Sequence, residues 1–142
     1  MRSTNYADHA PMLVIDASVL FEIVADTPGA EQLRTICAAD TDHAAPHLVD
    51  AEVLSVIQRA HRAERLDATA ASQALEDLRS WPGERWSHRP LLERAWQLRD
   101  NMRAYDALYV ALAEALDATL VTLDRRLSTA PGIGCRVEVP AA

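Results

Sequence analysis

Met12-Leu13-Val14-Ile15-Asp16-Ala17-Ser18 is the stretch that decides the fold. Four consecutive apolar residues, two of them β-branched, read as a short strand buried on both faces. The run stops at an acid, so Asp16 stands at the edge of the apolar interior. Val19 to Val24 follows at once as a helix. In open α/β sheets ligands bind beyond the carboxyl ends of the strands, which makes Asp16 a candidate for metal or phosphate chemistry. The competing reading is that Asp16 or Ser18 only caps the helix.

Working outward, Asp42 to Pro46 reads as a second strand and Arg85 to His88 as a weaker one. Thr119-Leu120-Val121-Thr122-Leu123 is another buried strand, and it too ends on an acid, Asp124. Cys135 to Val139 alternates and reads as a last strand. Between them lie helical patterns: Ala30 to Ala39, Leu48 to about Arg62, a helix capped by Asp67 and stopped by Trp81-Pro82-Gly83, and one opened by Pro90 that carries Leu91 to Leu98. Arg103 to Ala115 is apolar almost all round and belongs inside the molecule. Arg125 to Ser128 reads as a single helical turn. Strands separated by helices indicate a mainly parallel sheet covered on both sides. The expectation is one three-layer α/β/α domain over residues 12–142, with a polar N-terminal extension at 1–11.

Composition narrows the chemistry. The chain has 142 residues, 49% hydrophobic, with a net charge of −7. All 14 basic residues are arginines. Without lysine, phosphate-loop nucleotide binding and Schiff-base chemistry are disfavoured, and the acidity argues against non-specific coating of nucleic acid. Cys37 and Cys135 stand far apart in no ligand motif, as in a reducing cytoplasm. No apolar run approaches the roughly 20 residues of a membrane span. Met1 to Pro11 lacks the pattern of a signal peptide.

Four acids stand where solvated acids are not expected. Asp16 and Asp124 end core strands, Glu52 lies between Ala51 and Val53 on a helix, and Asp106 opens the most apolar helix. Each has a plain alternative: Asp124 as a cap, Asp106 as a complement to the helix macrodipole, Glu52 as a solvated neighbour of the apolar stripe. In a parallel sheet, however, strand ends and the starts of the following helices share one edge. Two such charges about 4 Å apart repel by roughly 4 kcal/mol at an effective dielectric of about 20. A group of four requires protonation or a cation, and hard oxygen ligands suit Mg²⁺ or Mn²⁺.

Val14-Ile15-Asp16-Ala17-Ser18, Pro46-His47-Leu48-Val49-Asp50-Ala51-Glu52-Val53, Tyr105-Asp106-Ala107-Leu108-Tyr109-Val110-Ala111-Leu112-Ala113 and Leu120-Val121-Thr122-Leu123-Asp124 together carry a resemblance. In this order and spacing the chain resembles a PIN-domain ribonuclease, specifically a VapC-type toxin of a toxin–antitoxin pair. The resemblance implies a Mg²⁺- or Mn²⁺-dependent endoribonuclease, usually dimeric and silenced by a VapB-like antitoxin. It assigns Asp16, Glu52, Asp106 and Asp124 to the metal-binding, catalytic set, with Ser18 and Thr122 as small polar neighbours. The implied reaction is in-line attack of metal-activated water on an RNA phosphodiester, leaving a 3′-hydroxyl and a 5′-phosphate. Some relatives carry a further acid just past the fourth; Arg125 and Arg126 stand there in this chain.

Arg59, Arg62 and Arg65 fall within about one third of a helix circumference, and Arg99 and Arg103 are four apart; all five are candidate RNA-phosphate contacts, with a solvated face as the alternative. Trp81, Trp86 and Trp96 are candidates for base stacking, core or interface. The histidines show no metal-ligand spacing. An acidic toxin calls for a cationic inhibitor, so the antitoxin is expected to reach the acids with an Arg or Lys. An aspartyl-nucleophile phosphatase would want an acid where Ser18 stands and a lysine later, and a receiver domain fails on the same missing lysine. A catalytically silent domain of the same fold, binding a protein or RNA, is the remaining alternative.

Overall fold

A computed structural model describes residues 12–38 and 42–141. The proposed extension at 1–11 and the expected end of the second helix at Ala39 lie outside the described residues.

Five strands form one all-parallel sheet: β1 (Met12–Ile15), β2 (Asp42–Pro46), β3 (Glu84–Trp86), β4 (Thr119–Val121) and β5 (Arg136–Glu138). Their order is β3-β2-β1-β4-β5. The two apolar runs that announce the sheet are its centre. Val14, Ile15, Leu120 and Val121 are at most 1% exposed, and β1 pairs with β4 at Ile15 and Val121. β-Branched side chains suit this pleated, doubly covered position. The outer strands β3 and β5 are three residues each and half exposed, shorter than their sequence patterns suggest.

The chain builds outward from β1 to β2 and β3, then returns to the other side of β1 for β4 and β5. The order therefore reverses between β1 and β4, and a crevice opens there beyond the strand ends.

α1 (Ala17–Val24), α2 (Ala30–Ala38), α3 (Leu48–Arg62) and α4 (Ala68–Ser80) pack on one another, while α5 (Leu92–Gln97) packs on α6 (Ala104–Ala115). α7 (Arg126–Thr129) is one short turn. This is the expected α/β/α layering. Residues Ala107 to Ala113 of α6 are all buried, which is what a helix apolar on every side requires. Asp67 caps α4, accepting the Ala70 N–H at 2.8 Å. Pro90 opens a 3₁₀ turn at Arg89–Leu91, and α5 begins only after it. α3 stops at Arg62 because the chain turns over at Glu64, whose φ is +61°. Arg65 therefore stands beyond the helix, and the expected face of three arginines does not include it.

Cys37 and Cys135 are not joined to one another in a disulfide. Among the described residues no helix is long and apolar enough to cross a membrane.

Candidate active site

The crevice at the β1/β4 reversal is a cavity of about 530 Å³. All four acids singled out by the sequence line it, with Ser18, Arg59, Arg103 and Tyr105. Asp16 follows β1, Asp124 follows β4 by three residues, Glu52 sits in the second turn of α3 after β2, and Asp106 in the first turn of α6. Four separate elements thus deliver one carboxylate each to one space.

Asp16 is the most firmly held. Its backbone N–H continues the ladder to the Val121 carbonyl at 3.0 Å. Its Oδ2 accepts from the Ser18 hydroxyl at 2.7 Å and from the buried Thr122 hydroxyl at 2.8 Å. Each hydroxyl in turn accepts a backbone N–H at 3.1 Å, Ser18 from Leu123 and Thr122 from Asp124. These N–H bonds occupy lone pairs and steer both hydroxyl protons onto the carboxylate. Ser18 and Thr122 are positioning residues, and the loop after β4 is tied to the start of α1 through them. Asp16 is the N-cap residue of α1, yet its side chain makes no capping hydrogen bond.

Glu52 is held from below. Tyr109, 1% exposed, donates its hydroxyl to Glu52 Oε1 at 2.8 Å. A tyrosine on a helix buried all round needs a partner for its hydroxyl, and that need was the one sequence signal for this contact. Burial holds the Glu52 carboxyl above its usual range; the Tyr109 bond offsets part of this, and the charges of Asp16 and Asp106 add to it. Burial raises Asp106 in the same way, Arg103 opposing it and Asp16 and Asp124 reinforcing it. The acids therefore sense one another as negative neighbours.

Asp124 differs. Arg126 grips both its oxygens, Nε to Oδ1 at 3.0 Å and Nη2 to Oδ2 at 2.8 Å, and the Arg126 backbone N–H adds a third bond at 3.0 Å. That guanidinium holds the Asp124 carboxyl below its usual range. Asp124 thus accepts the first N–H of α7 from within the cavity wall, while Arg125 is the N-cap residue of that turn. Arg103 approaches Asp106 at 3.6 Å.

The donor set, all oxygen and all anionic, suits a hard divalent cation in kind. With the side chains as they stand, no three His, Cys, Asp or Glu among the described residues gather into a group able to hold one.

Of the five candidate RNA-binding arginines, Arg59 and Arg103 line the cavity. Arg99 stacks over Trp96, 4.6 Å from the ring centroid, and Arg62 and Arg65 are exposed elsewhere. Trp81 packs against the core beneath the Arg85 guanidinium, Trp96 is 66% exposed, and Trp86 is partly exposed. Among the described residues no histidine lines the cavity; His88 Nε2 accepts the Leu48 N–H at the start of α3.

Comparison with known proteins agrees with this architecture. The PIN domain family model matches residues 13–133. Ribonuclease VapC1 of Mycobacterium tuberculosis is 39% identical over 127 residues, covering 89% of this chain and 96% of that protein. Ribonuclease VapC9 of the same organism is 41% identical over 128 residues, covering 90% and 98%. The VapBC2 crystal structure from Rickettsia felis, bound to a DNA fragment from their promoter, superposes with a TM-score of 0.67 at 16% identity, over 92% of this chain and 99% of that one. The chain belongs to the PIN-domain family, on its VapC branch.

Proposed function

We propose that this protein is a divalent-cation-dependent endoribonuclease toxin, restrained by a VapB-like antitoxin. One observation carries the reading: four carboxylates from four different elements line one cavity at the point where the strand order reverses. The names of its VapC relatives, ribonucleases, support the substrate class, and the solved VapBC assembly supports the antitoxin.

Asp16, Glu52, Asp106 and Asp124 would hold Mg²⁺ or Mn²⁺. When bound, such an ion polarises a phosphoryl oxygen and eases deprotonation of water at neutral pH. Ser18 and Thr122 fix the orientation of Asp16, and Tyr109 fixes Glu52. Arg59 and Arg103, on the cavity wall, offer guanidinium groups to the phosphates of a bound RNA strand. A cationic side chain of the antitoxin would compete for the same carboxylates. Leu92 and Trp96, exposed one turn apart on α5, support burial against a second copy of the chain, to be read by sedimentation. Two cysteines far apart in sequence and in no ligand motif suit a cytoplasmic protein.

The test is cleavage of structured and unstructured RNA by the antitoxin-free protein in Mg²⁺, Mn²⁺ or EDTA, beside Asp16→Asn and Asp106→Asn. Cleavage only by the parent and only with cation is expected; cleavage that survives EDTA or either substitution overturns the mechanism. Mg²⁺ should also raise the melting temperature of the parent by linkage, and Asp16→Asn should blunt that rise. The grip of Arg126 on Asp124 favours one second reading, a catalytically silent domain that binds a partner or RNA. No cleavage under any of these conditions would select it.

A further inference from the structure

Asp106 and Asp124 stand in a wall between two spaces. On one side is the cavity with all four acids. On the other is a smaller recess of about 140 Å³, lined by the same two acids together with Arg103 and Arg126. The recess is thus a place where two guanidinium groups meet two carboxylates.

The arginines are held loosely by everything except those acids. The side chains of Arg126 and Arg103 are 77% and 76% exposed. The Arg126 guanidinium hydrogen-bonds to no group other than Asp124 among the described residues. Asp124 itself has both oxygens engaged, so a cation reaching this carboxylate meets an arginine already seated on it. Arg126 also lies two residues from its partner, and a swing about its own side-chain bonds releases the pair without moving the backbone.

We propose that Arg126 is an exchangeable counter-ion: it neutralises Asp124 in the cation-free protein and turns to an RNA phosphate once a divalent cation takes that carboxylate. Arg103, at longer range from Asp106, follows as a weaker second. The inference rests on the cation-dependent nuclease reading of this site. It makes cation and RNA binding mutually reinforcing, because each removes the competitor of the other, and linkage requires the coupling to be equal in both directions. It also gives a function to the departure noted in the sequence, basic residues where some relatives carry a further acid.

The test measures binding without turnover. Mn²⁺ affinity is read by the paramagnetic signal of the free ion for the parent, Arg126→Gln and Arg126→Lys, in the absence of RNA. Removing an exposed ion-pair partner of the carboxylate should tighten Mn²⁺ binding about two- to fivefold in Arg126→Gln, with Arg126→Lys between. In parallel, an unstructured phosphorothioate RNA oligonucleotide is titrated by fluorescence anisotropy across a salt series. With Mn²⁺ present, Arg126→Gln should bind it more weakly, and the slope against log salt should fall by about 0.7, one phosphate contact to a single strand. In EDTA the two proteins should bind it alike. Equal or weaker Mn²⁺ binding by Arg126→Gln overturns the proposal, as does an RNA defect of the same size with and without cation. If neither parent nor variant binds Mn²⁺, the nuclease reading itself falls; if the parent binds and the variant is no different, only the counter-ion role falls.

Discussion

Arg94–Glu114 and Arg126–Asp124 are the same chemical object in two settings. In both, a guanidinium meets a carboxylate through two parallel hydrogen bonds, at 2.6 and 3.0 Å in the first and 3.0 and 2.8 Å in the second. The first joins α5 to α6 across 20 residues. Its arginine also donates to the Gly132 carbonyl, and its carboxylate also accepts the Gly134 N–H, so helix, helix and loop meet at one point. The second joins residues two apart, and its arginine projects into solvent from a four-residue helix. A pair with several further anchors restricts the fold. A pair whose arginine has none can exchange partners at small cost, because an exposed ion pair is worth only about 0–1 kcal/mol.

Substitution of the two carboxylates should separate these roles most sharply. Asp124→Asn should lower RNA cleavage by two orders of magnitude or more, about 3 kcal/mol of barrier, with a melting temperature close to the parent's. Similar loss of cleavage in Glu114→Gln would erase the distinction. Glu114→Gln should instead destabilise by about 2 kcal/mol, since a half-buried guanidinium and a backbone N–H lose their charged acceptor. On a domain of this size that is a fall of roughly 5 °C, read by thermal melts.

Acid titration gives a finer contrast. The Arg94 hydrogen bond is the main reason the Glu114 carboxyl lies below its usual range, despite partial burial. A depressed acid contributes stability that is present above its unfolded value and lost as pH falls through its folded one. The stability gap between parent and Glu114→Gln should therefore be full near neutrality and close progressively below about pH 4.5, the ordinary glutamate value. A gap that stays constant down to pH 3 would contradict the pairing. The smallest effect belongs to Tyr109→Phe, which removes a neutral donor from Glu52. A loss of about 1 kcal/mol is expected, with weaker Mn²⁺ binding because Glu52 is less firmly oriented.

The centre of the sheet was legible because its signals are local. Val14-Ile15 and Leu120-Val121 are continuous apolar runs, and each leads within a few residues to an acid that the parallel arrangement carries to one edge. α6 was legible for the same reason, from an apolar surface on all sides. What escaped the sequence is pairwise and distant. Tyr109 finds Glu52 over 57 residues and Arg85 finds Asp50 over 35, and no pattern of spacing announces either. The end of α3 falls where the sequence placed it, at Arg62; only the position of Arg65 relative to that helix escaped. Glu64 takes a left-handed conformation where glycine or asparagine would have given warning, and it carries Arg65 off the face that its spacing from Arg59 and Arg62 suggested. The Arg126 grip was hidden by proximity: an arginine two positions after the acid that ends the β4 segment carries no spacing that distinguishes a partner of that acid from a solvated neighbour.

The paired hydroxyls at Asp16 have one more consequence. Because Ser18 and Thr122 both aim protons at the same oxygen, an asparagine at position 16 has to turn its carbonyl toward them and its amide NH₂ toward the neighbouring acids. Such a molecule turns a neutral hydrogen-bond donor toward carboxylates that otherwise repel one another. In chelator it should melt above the parent while being unable to cleave RNA, so the native aspartate marks a position where durability has been traded for work.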